Sequence, residues 1–420
     1  MQLASLPERR DKSGQPVKRN ALRYVPLPWL SSTMGGASQP WACRMAASSP
    51  HCTLLASCFA VLARELFDGL GSLSYSEQQG WAQFIAQHQN SETGLFLDPL
   101  LQQDDLPESS HNWQYVTWQF TFFGLAALDA LGAQPLYLLT FLQTFLDSND
   151  VVCWLATRDW TDPWLESNSI MFLASFLIQE WERTGNPIYE KATCAIFDWL
   201  DDHQNPETGY WDLGQGASLL DAMAGAFHFY FLYFYLGRPV NYAERIIDST
   251  LALQQPDGLF DPRGGGGACI DLDAIDILVK FSMLTDYRAT DIKAALTRAF
   301  EAILRNQNPD GGFCEAKRPS CRKSLKRRVA ELVALDRLLN RPWQGRPVEY
   351  VCYSGWDKMR YRVDESDLWS TWFRPLALAL ISTRYPGEFI DDINWRFRRT
   401  PTLGWHDIEK LQAIKAQYHV

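Results

Sequence analysis

One short pattern recurs along this 420-residue chain and limits what it can fold into. It reads QNSETGLF at 89–96, QNPETGYW at 204–211, QQPDGLF at 254–260 and QNPDGGF at 307–313. Each copy sets a Gln, a turn-forming Pro or Ser with an acid, a Gly and then an aromatic residue. The Thr-Gly or Asp-Gly step suits a tight turn with positive φ at Gly. The glycines fall at 94, 209, 258 and 311, so the later intervals are 49 and 53 residues and the first is 115. The long interval is about twice the others, which places a degenerate copy at LDSNDVVCWL (146–155). A further weak copy, YVCYSGW (350–356), makes six units.

Helical periodicity surrounds each turn. An amphipathic stretch precedes it, as in YAERIIDSTLALQQ (242–255) and IKAALTRAFEAILRNQ (292–307). A more apolar stretch follows, at 112–130, 167–182, 218–236, 272–285, 324–339 and 367–382. Stretches with few charges after the first turn fit helices buried all round. Alternating amphipathic and buried helices in six hairpins predict an all-α fold, an (α/α)6 toroid with a double wall. Residues 1–50, rich in Pro, Ser, Gly and basic residues, read as a flexible N-terminal tail, and 51–420 as the toroid.

The bulk composition excludes some classes. A net charge of −10 argues against nucleic acid as a partner. Nine scattered cysteines without a C-x-x-C pair fit a reducing, cytoplasmic setting with mostly buried thiols. No apolar run reaches the length of a membrane span, which leaves only peripheral membrane contact.

In a toroid the starts of the inner helices gather at one end. They supply the site candidates His111, Trp113, Glu166, Asp221, Lys323, Arg327, Trp369 and Trp372 as substrate-binding residues. The segment GGGGACIDLDAIDIL (264–278) adds Asp271, Asp273 and Asp276 among apolar neighbours. Like charges in a dry wall hold one carboxyl neutral. The bland alternative is a helix cap and a solvated first turn. The basic run KRPSCRKSLKRR (317–328) would hold a diphosphate, a sulfate or a uronate, or be a solvated loop. His228 sits in an aromatic helix and reads as a core histidine.

QNPDGGF and QNPETGYW resemble the repeats of the terpenoid cyclase and protein prenyltransferase superfamily, over roughly residues 52–385. That resemblance implies an α/α toroid. In protonation-initiated cyclases of this kind an Asp-x-Asp-Asp motif opens an inner helix. Here Asp271 and Asp273 match its first two acids and Ala274 replaces the third. The resemblance implies Asp273 as the general acid for an alkene in a prenyl substrate, tuned by Asp271 and Asp276. No redox cofactor and no protein-bound metal is then required, and Mg²⁺ would accompany a prenyl diphosphate. The zinc site of the prenyltransferases has no counterpart, since no suitable His follows Cys269 and Asp271.

Two other functions fit the same mouth. Glu166, Asp221, Asp273 and Glu365 come from different units, and carboxyls paired across a pocket serve glycoside hydrolases and lyases. An acidic glycan is then the small-molecule substrate. A toroid that binds a glycan or lipid without turnover is the non-enzymatic reading.

Overall fold

The structure is a computed structural model that describes residues 22, 25–36, 40–106, 111–213, 216–317 and 350–419. After a short helix α1 (Leu27–Ser32), the described helices alternate between two walls. The inner wall holds α2 (Leu54–Leu66), α4 (Trp113–Ala130), α6 (Pro163–Thr184), α8 (Leu219–Tyr235), α10 (Ala268–Leu284) and α12 (Leu368–Arg384). Each packs on the next in that order, and α12 packs back on α2, which closes the ring. The outer wall holds α3 (Tyr75–Ala86), α5 (Ser148–Ala156), α7 (Pro187–His203), α9 (Ala243–Ala252) and α11 (Ala289–Leu304). The last helix is α13 (Ile408–Lys415). The only described strands form two short hairpins, β1–β2 (Cys43–Arg44, Cys52–Thr53) and β3–β4 (Tyr350–Cys352, Arg360–Arg362). The fold is the all-α toroid that the repeats predict.

The recurring Gln and Gly have one mechanical role. Gln89 Nε2 donates to Gly94 O at 2.9 Å and to Tyr137 O at 2.8 Å. Gln204 bonds Gly209 O and Asn241 O, and Gln254 bonds Gly258 O and Ala295 O, in the same way. Each amide thus ties its own turn to the neighbouring unit. The turn glycines lie at φ 78°, 77°, 93° and 98° for Gly94, Gly209, Gly258 and Gly311. A Cβ on Gly94 would meet Leu138 O at 2.1 Å, so both conformation and space demand glycine there. The aromatic that follows, Phe96, Tyr210, Phe260 or Phe313, is fully buried between the walls.

Three parts depart from the sequence reading. The sixth inner helix is α2, which precedes the first turn copy; the expected helix at 324–339 lies outside the described residues. Residues 148–156 are the outer helix α5, and the degenerate turn is 157–162, where buried Trp160 stands in for the aromatic. Residues 350–356 form strand β3 and a short 3-10 turn, because Ser354 sits at φ 56° and breaks any helix.

The described part of the N-terminal segment is packed. Trp29, Leu30, Cys43, Met45 and Ala46 are buried, and Met45 O accepts from Leu368 N at the start of α12. For residues 25–36 and 40–50 this corrects the expectation of a loose tail. At the opposite end, residues 396–407 cross the base of the ring. Arg398 is buried there and pairs with Glu65 at 2.8 Å and Asp129 at 2.5 Å, joining the ends of α2 and α4. Of the eight described cysteines, all unpaired, Cys43, Cys58 and Cys314 are buried and Cys153, Cys194 and Cys352 are exposed, so the thiols are less uniformly buried than expected. Among the described residues no helix is long and apolar enough to cross a membrane.

Candidate functional site

The mouth of the ring is where the inner helices begin, and side chains cap most of them. Asn112, Asp162, Ser218 and Asp367 accept from backbone N–H groups of α4, α6, α8 and α12. Helix α10 starts after Gly267, which has no side chain to offer. Glu315 supplies the acceptor instead, taking Ala268 N at 3.2 Å. Asp98 does the same for α2, accepting from Leu54 N at 2.7 Å. In both cases the acid lies two residues after a turn aromatic and caps the preceding inner helix.

The three acids of α10 have distinct surroundings. Asp271 accepts from Phe260 N at 2.8 Å, Gly267 N at 3.0 Å and Arg374 Nη1 at 3.2 Å. Thr121 and Thr371 take the corresponding N–H groups of Phe96 and Phe313. Asp271 therefore holds a turn against an inner helix, as those threonines do. Burial pushes its carboxyl up to about 6, against the opposing pull of Arg374. Gly266 makes room for this contact, since a Cβ there would meet Asp271 Oδ2 at 2.5 Å. Asp276 pairs with Lys280, and burial drives both toward their neutral forms. Asp273 is 1% exposed and neither carboxyl oxygen has a partner. Burial first, then Asp276 and Asp271, hold its carboxyl well above the usual carboxylate range.

Around Asp273 the mouth is polar. Cys269, one turn nearer the helix start and half-buried, lies within electrostatic reach of Asp273 and Glu315. The Tyr115, Tyr353 and Tyr361 hydroxyls are within electrostatic reach of Cys269, and burial raises all three. Tyr361 Oη and Asp367 Oδ2 are buried and, like Asp273, have no protein partner. Glu315 is half-buried, accepts Ser370 Oγ at 3.4 Å, and is raised by burial against the pull of Arg374. Arg374 is fully buried and also donates to Cys314 O at 2.8 Å and to Glu315 O. It fixes the strand-like segment 313–316 beside α10.

The other candidates divide. Trp369 stacks on Phe373 at 3.6 Å and touches Tyr353 at 4.7 Å, so it lines the mouth beneath that ring. Trp372 packs with Phe59 and Phe123 at 6.0 Å in the centre of the ring and belongs to the core. His111 is half-buried and packs edge-on against Tyr115 at 4.9 Å, and burial lowers its imidazole below the usual value. Trp113 is half-buried at the first position of α4, beside a surface depression shared with His88 and Asp98. Glu166 pairs with Arg158 at 3.5 Å, and Asp221 accepts from Ser218 Oγ at 2.6 Å inside a capping turn. Glu365 accepts Arg362 N at 2.7 Å and Ser48, closing a surface turn. Lys323 and Arg327 lie outside the described residues. His228 bonds Ser167 Oγ at 2.8 Å, and burial lowers it to about 3, as fits a core histidine.

Glu315, Asp367, Arg374, Tyr115, Tyr353 and Tyr361 escape the sequence reading. A signal for Glu315 exists: an acid stands one or two residues after the turn aromatic in all four clear copies, as Asp98, Asp212, Asp261 and Glu315. Tyr361 and Arg374 leave no such trace, because their roles arise only when distant segments meet.

The chain is thus a closed (α/α)6 toroid with a buried acid below a polar mouth. No family model and no curated protein matches it. Among solved structures, a polysaccharide lyase aligns over 87% of this chain and 98% of its own, at 13% identity and a TM-score of 0.44. A glycosyl hydrolase family 88 protein from Bacteroides vulgatus aligns over 85% and 98%, at 10% identity and a TM-score of 0.43.

Proposed function

We propose that the protein is a carbohydrate-active enzyme that cleaves a glycan by acid–base chemistry, with Asp273 as the general acid. One observation carries this reading: Asp273, Tyr361 and Asp367 keep buried polar atoms without partners, and Cys269 is within electrostatic reach of Asp273 and Tyr361, as Asp367 is of Tyr361. An unsatisfied buried group costs about 1–3 kcal/mol. Asp271 and Asp276 have structural partners that explain them, and Asp273 has none. A polyhydroxylated substrate would meet these atoms with its own hydroxyls, and a neutral carboxyl can protonate a glycosidic oxygen. Glu315, which like Asp273 is within electrostatic reach of Cys269, is the second carboxyl, acting as base or stabilising anion. Tyr353, carried on the β3–β4 hairpin and packed on Phe59 and Trp369, closes the mouth and gives way on entry.

A cyclase is the second reading, favoured by a buried acid raised well above the usual carboxylate range in a ring rich in buried Trp and Phe. It needs a deep apolar cavity below the acid. Below Asp273 stand instead the Asp276–Lys280 pair and the ring of Trp405, 5.7 Å from the Lys280 ammonium. The centre of the ring is filled by Phe59, Phe123 and Trp372, with ring centres at 4.9 Å for Phe59–Phe123 and 6.0 Å for Phe59–Trp372.

The test is mass spectrometry after incubation with a panel of neutral and acidic oligosaccharides, and separately with prenyl diphosphates and squalene-type substrates. Shortened glycans, lost by at least a factor of about 100 in Asp273→Asn, are the expected result for a missing general acid. Unsaturated ends would mark a lyase and saturated ends a hydrolase. Cyclic prenyl products, or glycan cleavage unaffected by Asp273→Asn, would contradict the proposal.

A further inference from the structure

The face of α10 that carries Asp273 continues toward the base with groups that glycan cleavage does not use. Cys269, Asp273, Asp276 and Lys280 fall within an arc of roughly 60° on a helix turning about 100° per residue. They make one stripe from mouth to base. Asp276 is 4% exposed and Lys280 1%, and their carboxylate and ammonium are in contact. The ammonium also faces the Trp405 ring. Next to Trp405 in the base-closing segment is His406, 3% exposed, with neither ring nitrogen bonded to protein. Asp276 Oδ2 and Trp405 Nε1 also lack protein partners. With the two oxygens of Asp273, six buried polar atoms along this stripe are unpartnered.

Folded interiors leave few such groups, and where they cluster, ordered water bridges them. The charged neighbours are Lys280 and Arg399 facing His406, and Asp276 and Asp271 facing Asp273. Phe397 covers the His406 ring at 4.8 Å. The segment leaves the interior just past His406, at half-exposed Asp407 and exposed Ile408.

We propose that this stripe is a water-bridged proton path joining the Asp273 carboxyl to His406 at the base of the toroid, apart from the mouth by which substrate enters. The path rests on the reading of Asp273 as the acid. When Asp273 gives its proton to the substrate oxygen, a bridging water returns one to the carboxylate. Each water is re-protonated by the next along the stripe, and a solvent proton entering at His406 closes the sequence. No electron moves and no co-reactant is consumed. Asp276 and Lys280, as a pair, orient the waters without adding net charge.

The path can be tested without a substrate. Infrared spectroscopy after rapid mixing into D2O follows hydrogen–deuterium exchange of the Asp273 carboxyl, whose acid band is assigned by its loss in Asp273→Asn. His406→Phe removes two unpartnered nitrogens and should fold as well as the parent. The expected result is a retained band with exchange slowed at least tenfold. Asp276→Asn combined with Lys280→Met, which removes both charges together, should slow it likewise and covers the case of a misfolded His406 variant. A band that exchanges at the parental rate in the folded variants overturns the path alone. A parent protein with no such band overturns the acid assignment, and the path with it.

Discussion

Asp271, Asp273 and Asp276 lie within six residues, yet each meets a different environment. Asp271 has three donors, Asp276 has an ammonium, and Asp273 has two like charges nearby and no donor. The difference has a thermodynamic consequence. A carboxyl raised in the fold keeps its proton while the unfolded chain loses its own above about pH 3.9. Its contribution to stability is therefore complete below that pH and is lost progressively as pH rises toward the folded value. Asn carries no such dependence. The unfolding free energy of Asp273→Asn should gain on the parent as pH rises above about 3.9, by up to about 1.4 kcal/mol per pH unit. Urea unfolding at several pH values measures this, and a pH-independent difference would show that Asp273 is not raised. The sequence showed that three acids met an apolar wall. It did not show which one the turn would claim, because Phe260 N and Arg374 reach α10 only in the closed ring.

At the scale of elements, the Gln–Gly–aromatic turn is the unit from which the molecule is built. Its amide, its left-handed glycine and its buried ring are local chemistry, so the sequence displays them openly. Gly94→Ala would combine a positive φ with a Cβ 2.1 Å from Leu138 O, a backbone atom that has little room to retreat. Gly132 has φ 67° but nothing within 4 Å of the same Cβ. The left-handed conformation alone costs about 1–2 kcal/mol. Gly132→Ala should lose no more than that, while Gly94→Ala loses about 2–4 kcal/mol. Equal shifts in the unfolding midpoint would mean that the neighbouring unit does not press on the turn. Helix α2 is absent from the repeat pattern for the complementary reason. No copy of the turn precedes it, and its cap comes from Thr53 and from Asp98, 44 residues onward.

At the scale of the molecule, the ring is closed by contacts that no repeat encodes. Helix α12 meets α2, the N-terminal segment docks on α12 through Met45 and on α2 through Cys43, and Arg398 ties the base together. These closures convert a row of hairpins into a chamber, and the chamber makes Asp273 unusual. The toroid was legible because it follows from a period. The mouth was only partly legible, because Tyr361 comes to it from a hairpin strand that no repeat marks, and Arg374 meets Asp271 only across the closed ring. The central claim is that the closed ring holds one carboxyl neutral at its heart. Carbon-13 NMR of the protein labelled at aspartate carboxyls measures this most directly, with Asp273→Asn assigning the resonance. The account predicts an aspartate signal that stays in its protonated position at pH 7 and is missing in the variant. If every aspartate signal has moved to the ionised position by pH 7, the account is contradicted.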